Sequence, residues 1–427
     1  MRARKLSRIA SERAARALGA RPGFVWLDGD GSGSEGRLSH LASDPVEWLR
    51  VPLSEAQPLR ALARLTTTDS VNAELGRAPR WMGYVAYDAG LDASLRARRP
   101  ADQRALCFAR YEATLTLDHA SGEAWIVGED AAACGRLESR LAAKLPEPGD
   151  FRLSELEATS RQRHERAILG ALEEIAAGEI YQVNLARRWR ARFSGSTLGL
   201  FLAMRRASPV PFGFYFDSGQ ERVLGRSMER FLGWEGRALR CRPIKGTIAR
   251  SGQNDDDEAA RLRSDTKERA EHSMIVDLVR NDLGRVAEVG SVKVTDLLSV
   301  EPYAGLSHLV STVGCRTRED VRLVDVFEAT FPPGSVTGTP KLRSMRTIEE
   351  REGFSRDVYT GAVGYISHAG DAHFAVAIRT AVERAGEVRY DAGGGLVALS
   401  DPARELEETE LKARAFLDAL REPSPEV

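Results

Sequence analysis

The amino-acid sequence predicts an α+β fold, with mostly antiparallel β-sheets and helices packed outside them. Two observations lead to this prediction. Short strand-like runs separated by turns recur along most of the chain. Helical stretches interrupt these runs, but without the regular strand–helix alternation that is typical of a parallel sheet. With 427 residues, of which 42% are hydrophobic and 29% charged, the chain can bury a large core.

The first 150 residues are predicted to be rich in strands. The strand candidates are FVWL, WMGYVAYDAG, ATLTLD and EAWIVG. The first 20 residues are basic and helix-prone, and they lack the apolar run of a signal peptide. The turn-rich stretch PEPGD at 146–150 ends this part. We therefore distinguish an N-terminal portion (1–150), a larger second region (151–421) and a polar tail (422–427).

After residue 150 the sequence predicts helices and strands in mixed order. The strand candidates are YQVNLARRW, PFGFYFD, ERVLG, ALRCRPIKG, SVKVTDLL and HLVSTVGCR. An amphipathic helix is predicted at about 162–178, where apolar residues recur at helical spacing. That stripe consists of Ala167, Ile168, Ala171, Leu172 and Ile175. Further helices are predicted at 256–286, 340–350 and 403–420.

The composition argues against several classes of partner. The formal net charge is −1, from 61 basic and 62 acidic residues, so neither a nucleic acid nor a membrane partner is expected. No run of 18 apolar residues occurs. The four cysteines are far apart and form no CxxC motif; they are Cys107, Cys134, Cys241 and Cys315. They are expected to be reduced thiols in a cytoplasmic protein.

Lysine is scarce, which draws attention to the lysines that occur. Only seven of the 61 basic residues are lysine, and only an amine can readily lose its proton. Lys245 lies in RPIKGT, between a strand end and a glycine turn. Such a lysine, when partly buried, is expected to have a depressed pKa and to act as a nucleophile or a base. The alternative is a surface lysine at a strand end.

Two predicted helices each carry a pair of glutamates three residues apart. Glu268 and Glu271 share one face of the helix at 256–286, and Glu405 and Glu408 share one face of the last helix. Together the two pairs could form an all-oxygen site, for which Mg²⁺ is the expected occupant. The alternative is that both pairs lie on solvated faces of charged helices.

Two glycine-rich stretches are candidates for binding an anion. In FPPGSVTGTPK, Thr339 is predicted to cap a helix that has Pro340 at its first position. In DAGGGLVALS, Gly393, Gly394 and Gly395 allow a ligand to approach the backbone closely. Either stretch could instead be an ordinary turn.

Three polar residues stand within apolar runs that are predicted to be strands: His308 in LSHLVSTV, Arg379 in FAVAIRTA and Tyr359 in VYTGAVGYI. A buried arginine requires a carboxylate, either from the protein or from a substrate. An isolated histidine is more often a core residue whose hydrogen bonds are satisfied.

Taken in order, these motifs resemble those of the chorismate-utilising enzymes. The series is GEIYQVNLARRW, SMERF, RPIKGT, KERAEHSMIVDLVRNDLGRV, SHLVSTV, FPPGSVTGTPKLRSM, YTGAVGYI, FAVAIRT and GGGLVALSDPARELEETELKAR. The resemblance covers roughly residues 160–421, and the segment before it is a looser match. It implies two facing antiparallel sheets, helices outside them, and an active site in the cleft.

The resemblance also implies a metal site. The positions of Glu271 and Glu408 ligate Mg²⁺ in the family, while those of Glu268 and Glu405 support the ion through water. The cation holds the ring carboxylate of chorismate, which the backbone of the three glycines approaches.

Further substrate contacts are implied around the ring. Arg379 and Tyr359 match positions that hold the enolpyruvyl carboxylate, and His308 matches a histidine near the ring. Gly246 and Thr247 line the pocket beside the lysine of RPIKGT.

The residue after proline–isoleucine separates members of the family. Anthranilate, isochorismate and salicylate synthases have alanine there, whereas the aminodeoxychorismate synthases have the PIKGT found in this chain. In that group Lys245 would attack C2 of chorismate as the C4 hydroxyl leaves, and ammonia would then add at C4. Glu229 of SMERF would be the general acid and base. The product is the precursor of 4-aminobenzoate in folate biosynthesis.

The resemblance implies a partner as well. The sequence contains no G-x-C-x-G glutaminase elbow, so ammonia is expected from a separate glutamine amidotransferase subunit or from solution. The alternatives are an anthranilate synthase component I and a catalytically silent chorismate-binding subunit. Two positions depart from the family pattern: Met228 stands where proline is common and Pro333 where glycine is common.

Overall fold

A computed structural model describes residues 1–65, 67, 75–143, 149–249, 255–303 and 306–419. Within these ranges the strands are β1 (Arg2–Leu6), β2 (Val25–Asp28), β3 (Leu38–Ala42), β4 (Glu47–Pro52), β5 (Pro79–Val85), β6 (Arg104–Arg110), β7 (Ala113–Asp118), β8 (Ala124–Gly128), β9 (Phe151–Ala158), β10 (Gln182–Gly195), β11 (Phe212–Asp217), β12 (Glu221–Ser227), β13 (Arg230–Glu235), β14 (Ala238–Arg242), β15 (Ile244–Ala249), β16 (Lys293–Tyr303), β17 (Leu306–Arg316), β18 (Gly338–Thr339), β19 (Ala362–Ser367), β20 (Ala372–Val376), β21 (Thr380–Arg384) and β22 (Glu387–Leu396).

The helices of the described ranges are α1 (Ser11–Leu18), α2 (Ala93–Arg96), α3 (Ala131–Leu141), α4 (Arg161–Ala176), α5 (Thr197–Ala207), α6 (Asp255–Ser264), α7 (Thr266–Gly284), α8 (Leu323–Thr330), α9 (Lys341–Glu352) and α10 (Pro402–Ala419). Short 3₁₀ turns are found at Pro58–Arg64, Leu75–Arg77, Tyr87–Gly90 and Gly334–Val336. None of the helices in the described part of the chain is long and apolar enough to cross a lipid bilayer.

The described strands form two antiparallel sheets. The larger has twelve strands, in the order β1-β8-β7-β3-β2-β11-β12-β21-β22-β10-β18 with β9 beside β10; the smaller has ten, in the order β15-β17-β14-β13-β20-β19-β5-β6-β4 with β16 beside β17. Both sheets combine strands from before and after residue 150. The predicted α+β class with mostly antiparallel sheets is therefore confirmed.

The sheets face each other across an apolar layer and carry helices on their outer faces. Because side chains alternate along a strand, Phe214 and Phe216 of β11 join Met82 and Tyr84 of β5 in the layer between the sheets. Tyr215, between the two phenylalanines, packs instead in the cluster that contains the buried residues of α1, α3 and α5. A third cluster packs α7 and α8 against the smaller sheet. All four cysteines are buried and free.

Several predicted elements need correction. The helix expected at 256–286 is two helices, because Asp265 leaves the helical conformation and its side chain caps α7 by accepting a hydrogen bond from the Glu268 backbone N–H. The basic N-terminus forms β1 and α1 rather than helix alone. Thr339 is not a cap, because it pairs with Gln182 in the sheet and α9 begins at Lys341.

Candidate active site

The site is built where the chain passes from one sheet to the other. It crosses between β12 and β13 at residues 228–229, and again between β20 and β21 at residues 377–379. The two crossings run side by side, since the Arg226 N–H donates to the Arg379 carbonyl (3.1 Å) and the Val376 N–H donates to the Glu229 carbonyl (3.0 Å). Glu229 and Arg379 are thus fixed at the junction between the sheets.

Arg379 and Tyr359 do not lie in strands, contrary to the prediction. Arg379 occupies the left-handed region (φ 52°) in the crossing before β21, and its Nη1 donates to the Lys412 carbonyl of α10 at 3.1 Å. Tyr359 lies in the turn before β19 and is buried. Burial raises the pKa of the Tyr359 hydroxyl above its ordinary value. It therefore remains a neutral hydrogen-bonding group.

Lys245 stands at an irregularity in β15. The register with β17 shifts between Lys245, which is opposite Leu309, and Thr247, which is opposite His308. Gly246, between them, has φ 76°, a conformation that favours glycine. Such a bulge bends a strand and re-aims its side chains. The side chain of Thr247 lies outside the described part of the structure.

His308 holds this bulge from the neighbouring strand. Its Nδ1 lies 3.2 Å from the Gly246 carbonyl, and a carbonyl only accepts, so Nδ1 carries the proton. Burial, followed by the charge of Arg379, lowers the pKa of His308 to about 4. The ring is therefore neutral at neutral pH, and Nε2 is its unprotonated nitrogen.

The Lys245 amine is directed inward and forms an ion pair. Its Nζ lies 3.0 Å from Glu271 Oε1, and the two side chains are 11% and 8% exposed. Burial lowers the pKa of Lys245, but the carboxylates of Glu271, Glu229 and Glu408 oppose that effect and the net change is upward. The depressed pKa expected from the sequence is therefore wrong for this arrangement, because the lysine is buried among acids.

The three glycines of β22 leave the space in which these side chains meet. A Cβ at Gly395 would clash with Glu271 Oε1 and lie 2.6 Å from Lys245 Nζ. A Cβ at Gly394 would lie 3.2 Å from Glu405 Oε2 and 3.8 Å from Glu408 Oε1. Carboxylates of α7 and α10 therefore approach the same stretch of backbone.

The fourth glutamate and the third glycine complete this region. A Cβ at Gly246 would lie 3.0 Å from Glu268 Oε2, so Glu268 borders the bulge of β15. The Gly393 carbonyl accepts from Lys412 Nζ at 2.9 Å. The predicted glutamates, lysine and glycines are thus gathered in one region.

The glutamates suit a hard cation by chemistry, but they do not form a closed cage. Within the described residues, no group of three or more His, Cys, Asp or Glu side chains is close enough to hold a metal ion. Glu271 is paired with Lys245, and Glu408 with Lys412 at 2.5 Å. An oxygen-only donor set fits Mg²⁺, which usually takes one or two carboxylates and keeps several waters.

Glu229 is 5% exposed and has a strongly altered acidity. Burial raises the pKa of its carboxyl to about 7, against the opposing effects of the nearby Ser335 hydroxyl and of the Lys245 charge. The Glu229 backbone N–H donates to Ser227 Oγ (3.2 Å). Met228 is itself buried and occupies the crossing without disturbing this hydrogen bond. A carboxyl with a pKa near neutrality can both donate and accept a proton.

Two residues of the site were not assigned a role from the sequence. Lys412 links Glu408 to the Gly393 carbonyl; the scarcity of lysine favours Lys412 as a functional residue but does not give its role. Gln182 Nε2 donates to Glu271 Oε1 at 3.3 Å. Gln182 lies in a strand whose pairing with β18 and β22 is long-range, so no local pattern marks it.

Comparison with known proteins gives a consistent family. A profile described as "chorismate binding enzyme" matches residues 22–418. The chain is 43% identical over 263 residues to anthranilate synthase component 1 of Aquifex aeolicus, covering 61% of this chain and 53% of that protein. It is 40% identical over 367 residues to aminodeoxychorismate synthase of Streptomyces griseus, covering 80% of this chain and 50% of that protein. The chain thus spans about half the length of these two relatives.

Solved structures agree on the fold. The structure of anthranilate synthase component I from Streptococcus pneumoniae TIGR4 matches with a TM-score of 0.78 at 29% identity, covering 89% of this chain and 92% of that chain. The isochorismate synthase MenF of Escherichia coli matches with a TM-score of 0.75 at 20% identity, covering 98% and 94%.

Proposed function

The chain belongs to the family of chorismate-binding enzymes, and on that premise we propose that it converts chorismate and ammonia to 4-amino-4-deoxychorismate. The observation that carries the proposal is the position of Lys245. Its amine is buried beside the Gly395 backbone and against Glu271. A lysine in the PIKGT motif distinguishes the amination of C4 from the other chemistries that the resemblance implies.

The reaction would proceed by two displacements. Lys245 first loses its ammonium proton to solvent; the neutral amine then forms a bond from Nζ to C2, the ring double bond shifts, and the C4–O bond breaks. Ammonia then forms a bond to C4, the double bond shifts back, and the bond between C2 and Nζ breaks. A buried amine held against one face of the ring has the positional advantage that such a covalent step needs.

Glu229 would supply and recover the proton at C4. With a pKa of about 7, a large fraction of the carboxyl is protonated at neutral pH. It gives that proton to the departing hydroxyl, which leaves as water. The carboxylate that remains takes a proton from the nitrogen that adds at C4. Lys245 lies close enough for its charge to act on Glu229, which supports placing both groups at the same substrate.

The remaining residues would hold the two carboxylates of chorismate. Arg379 and Tyr359 are suited to the enolpyruvyl carboxylate, and neutral His308 to the ring. Glu271 and Glu408, with Glu268 and Glu405 behind them, would hold Mg²⁺. When bound, that ion supplies positive charge for the ring carboxylate and neutralises the acids that now keep Lys245 protonated.

A separate glutamine amidotransferase is the proposed source of ammonia, and the cytoplasm the proposed compartment. Several of the relatives are named as component 1 of their synthase, among them those from Aquifex aeolicus and Escherichia coli. In the second, aminodeoxychorismate synthase component 1, the match is 40% identical over 263 residues. These names support a chain that works with a second component.

The test is to incubate the purified chain with chorismate, Mg²⁺ and ammonium at alkaline pH and to identify the product by mass spectrometry. We expect aminodeoxychorismate, which retains the enolpyruvyl group, and no release of pyruvate. A chain that consumes chorismate without forming this product would disprove the proposal.

Anthranilate synthesis is the second candidate, favoured by the 43% identity to the Aquifex aeolicus protein. It would release pyruvate and yield a fluorescent aromatic amine. The same incubation therefore separates the two functions.

A further inference from the structure

The turn at 357–360, just before β19, carries Tyr359 and contains two non-glycine residues in the left-handed region. Asp357 has φ 54° and Thr360 has φ 59°, and both residues are buried. For a β-branched residue such as Thr360 this conformation is rare. It costs free energy and persists only where the surrounding structure enforces it. Neighbouring groups must therefore hold the turn that carries Tyr359.

Arg356 directly precedes this turn and is 1% exposed. Its Nε and Nη2 donate to the two carboxylate oxygens of Glu352, at 3.0 and 2.6 Å. Its Nη1 donates to Thr360 Oγ1 at 3.2 Å. The two remaining N–H groups donate to the carbonyls of Val336 (2.8 Å) and Asn184 (2.7 Å). All five N–H donors of the guanidinium are therefore used within the protein.

The contacts of Arg356 join the turn to the strand beside the three glycines. Asn184, whose carbonyl accepts from the guanidinium, lies in β10 opposite Gly395 of β22. The Thr360 hydroxyl that accepts from Arg356 donates in turn to the Tyr359 carbonyl at 2.6 Å. The guanidinium carbon also lies 5.7 Å from the centre of the Tyr359 ring. Arg356 therefore fixes the turn relative to the backbone of the candidate site.

The other end of the turn is held by Asp88, a fully buried residue of the N-terminal portion. Its Oδ2 accepts from the Asp357 N–H at 2.7 Å. The Tyr87 N–H, one residue earlier, donates to the Asp357 carbonyl at 2.7 Å. The turn is thus held at its first residue by this acid and at its last residue by Arg356, with Tyr359 between them.

Resting on the proposed function, we infer that Arg356 is a positioning residue, which holds the turn so that Tyr359 meets the enolpyruvyl carboxylate of chorismate. A tyrosine hydroxyl binds a carboxylate only at hydrogen-bond distance and with suitable geometry. A turn that is already in place spares the substrate the free energy of ordering it. Arg356 has no N–H group left for the substrate, so its effect on binding passes through Tyr359.

The test changes the guanidinium but keeps its charge. Arg356→Lys retains a cation beside Glu352, but an amine cannot reach all five acceptors. Chorismate is titrated calorimetrically with Mg²⁺ present, in a chain that carries Lys245→Ala so that the proposed covalent step cannot occur. We expect Arg356→Lys and Tyr359→Phe each to weaken chorismate binding about tenfold. The double variant should also lose only about tenfold, because both changes remove the same interaction.

A second variant tests the inference even if Arg356→Lys does not fold. Thr360→Val keeps the shape of the side chain and the Arg356–Glu352 pair, but removes the hydroxyl that accepts from Arg356. We expect it to weaken chorismate binding about threefold, the effect of one hydrogen bond. Thr114→Val is the matched control, because its buried hydroxyl also makes one hydrogen bond, to the Pro79 carbonyl at 3.1 Å. This control is expected to bind chorismate with wild-type affinity.

The inference about Arg356 is overturned by any of three results. The first is wild-type affinity for chorismate in Thr360→Val or in Tyr359→Phe. The second is an equal loss in Thr114→Val and Thr360→Val. The third is a loss of about a hundredfold in the double variant, since multiplied losses would mean that Arg356 acts independently of Tyr359. Failure of the wild-type chain to aminate chorismate would refute the proposed function instead, while the titrations would still decide the role of Arg356.

Discussion

Helices α7 and α10 each carry two glutamates three residues apart, but these glutamates differ in exposure and in the partners they contact. On α7, Glu271 is 8% exposed and pairs with Lys245, which comes from a different strand. On α10, Glu408 is 41% exposed and pairs with Lys412, one turn along the same helix. The α7 pair therefore depends on tertiary structure, whereas the α10 pair is local.

This difference suggests different roles for the α7 side and the α10 side of the candidate site. A buried pair between separate elements holds its groups in one geometry, at the expense of desolvation. A half-exposed pair at i and i+4 contributes little energy and can rearrange readily. The α7 side therefore suits the proposed covalent step, and the α10 side suits adaptation around the proposed substrate anion.

Replacing Lys245 or Lys412 by alanine is expected to give the largest difference between the α7 side and the α10 side. Lys245→Ala removes the proposed nucleophile and should lower kcat by about a thousandfold or more. Lys412→Ala removes only a charged hydrogen bond and should cost about tenfold, mainly in the KM for chorismate. Steady-state kinetics measures both. Lys245→Arg is the control, since it keeps the charge beside Glu271 but cannot act as a nucleophile; turnover by this variant near the wild-type rate would remove Lys245 from the mechanism.

The free energy of unfolding is expected to show the next largest difference between α7 and α10. Glu271→Gln leaves the Lys245 ammonium without its nearest counterion and is expected to lower the free energy of unfolding by about 3 kcal/mol. Glu408→Gln breaks a half-exposed pair within one helix and is expected to cost about 0.5 kcal/mol or less. Urea denaturation followed by circular dichroism gives both values. Equal losses in the two variants would contradict the distinction between a tertiary and a local pair.

The local pattern predicted much of the fold. The stripe that predicted α4 is present, with Ala167, Ile168 and Ala171 buried on one face, and the antiparallel class followed from short alternating runs. Four helices, α2, α3, α5 and α8, were not predicted. Each sheet combines strands that are far apart in the sequence. Because their pairing is long-range, no local pattern reveals the order of strands in the sheets.

For the site, residue types were predictable and their electrostatics were not. The glutamate spacing and the glycine run bring the expected groups together. The predicted depression of the Lys245 pKa was wrong, because this pKa depends on Glu271, Glu229 and Glu408, which come from three separate parts of the chain. Arg379 was misplaced because an apolar run that crosses between two sheets has the same composition as one strand.

The pH dependence of turnover tests how the surroundings of Glu229 set the pKa of its carboxyl. The pKa of Glu229 is raised to about 7 by burial, so the protonated acid is lost as the pH rises through that value and the acid-dependent step should slow. Glu229→Gln should lower kcat about a hundredfold and remove this decline. Because the charge of Lys245 acts more strongly on Glu229 than that of Lys412, Lys412→Met should leave the midpoint nearly unchanged. A pH midpoint in Lys412→Met that clearly differs from the wild-type midpoint would contradict the small influence expected of Lys412.

Magnesium binding is expected to show the smallest contrast, because both helices would contribute a ligand. Glu271→Gln and Glu408→Gln should each raise the Mg²⁺ concentration needed for half-maximal activity by about tenfold or more. Isothermal titration of the chain with Mg²⁺ in the presence of chorismate gives the affinity independently of turnover. Glu407→Gln is a matched control, since this exposed residue of α10 lies one position from Glu408. Normal Mg²⁺ affinity in both site variants would show that the acids of the cleft serve to hold Lys245 and Lys412 rather than a cation.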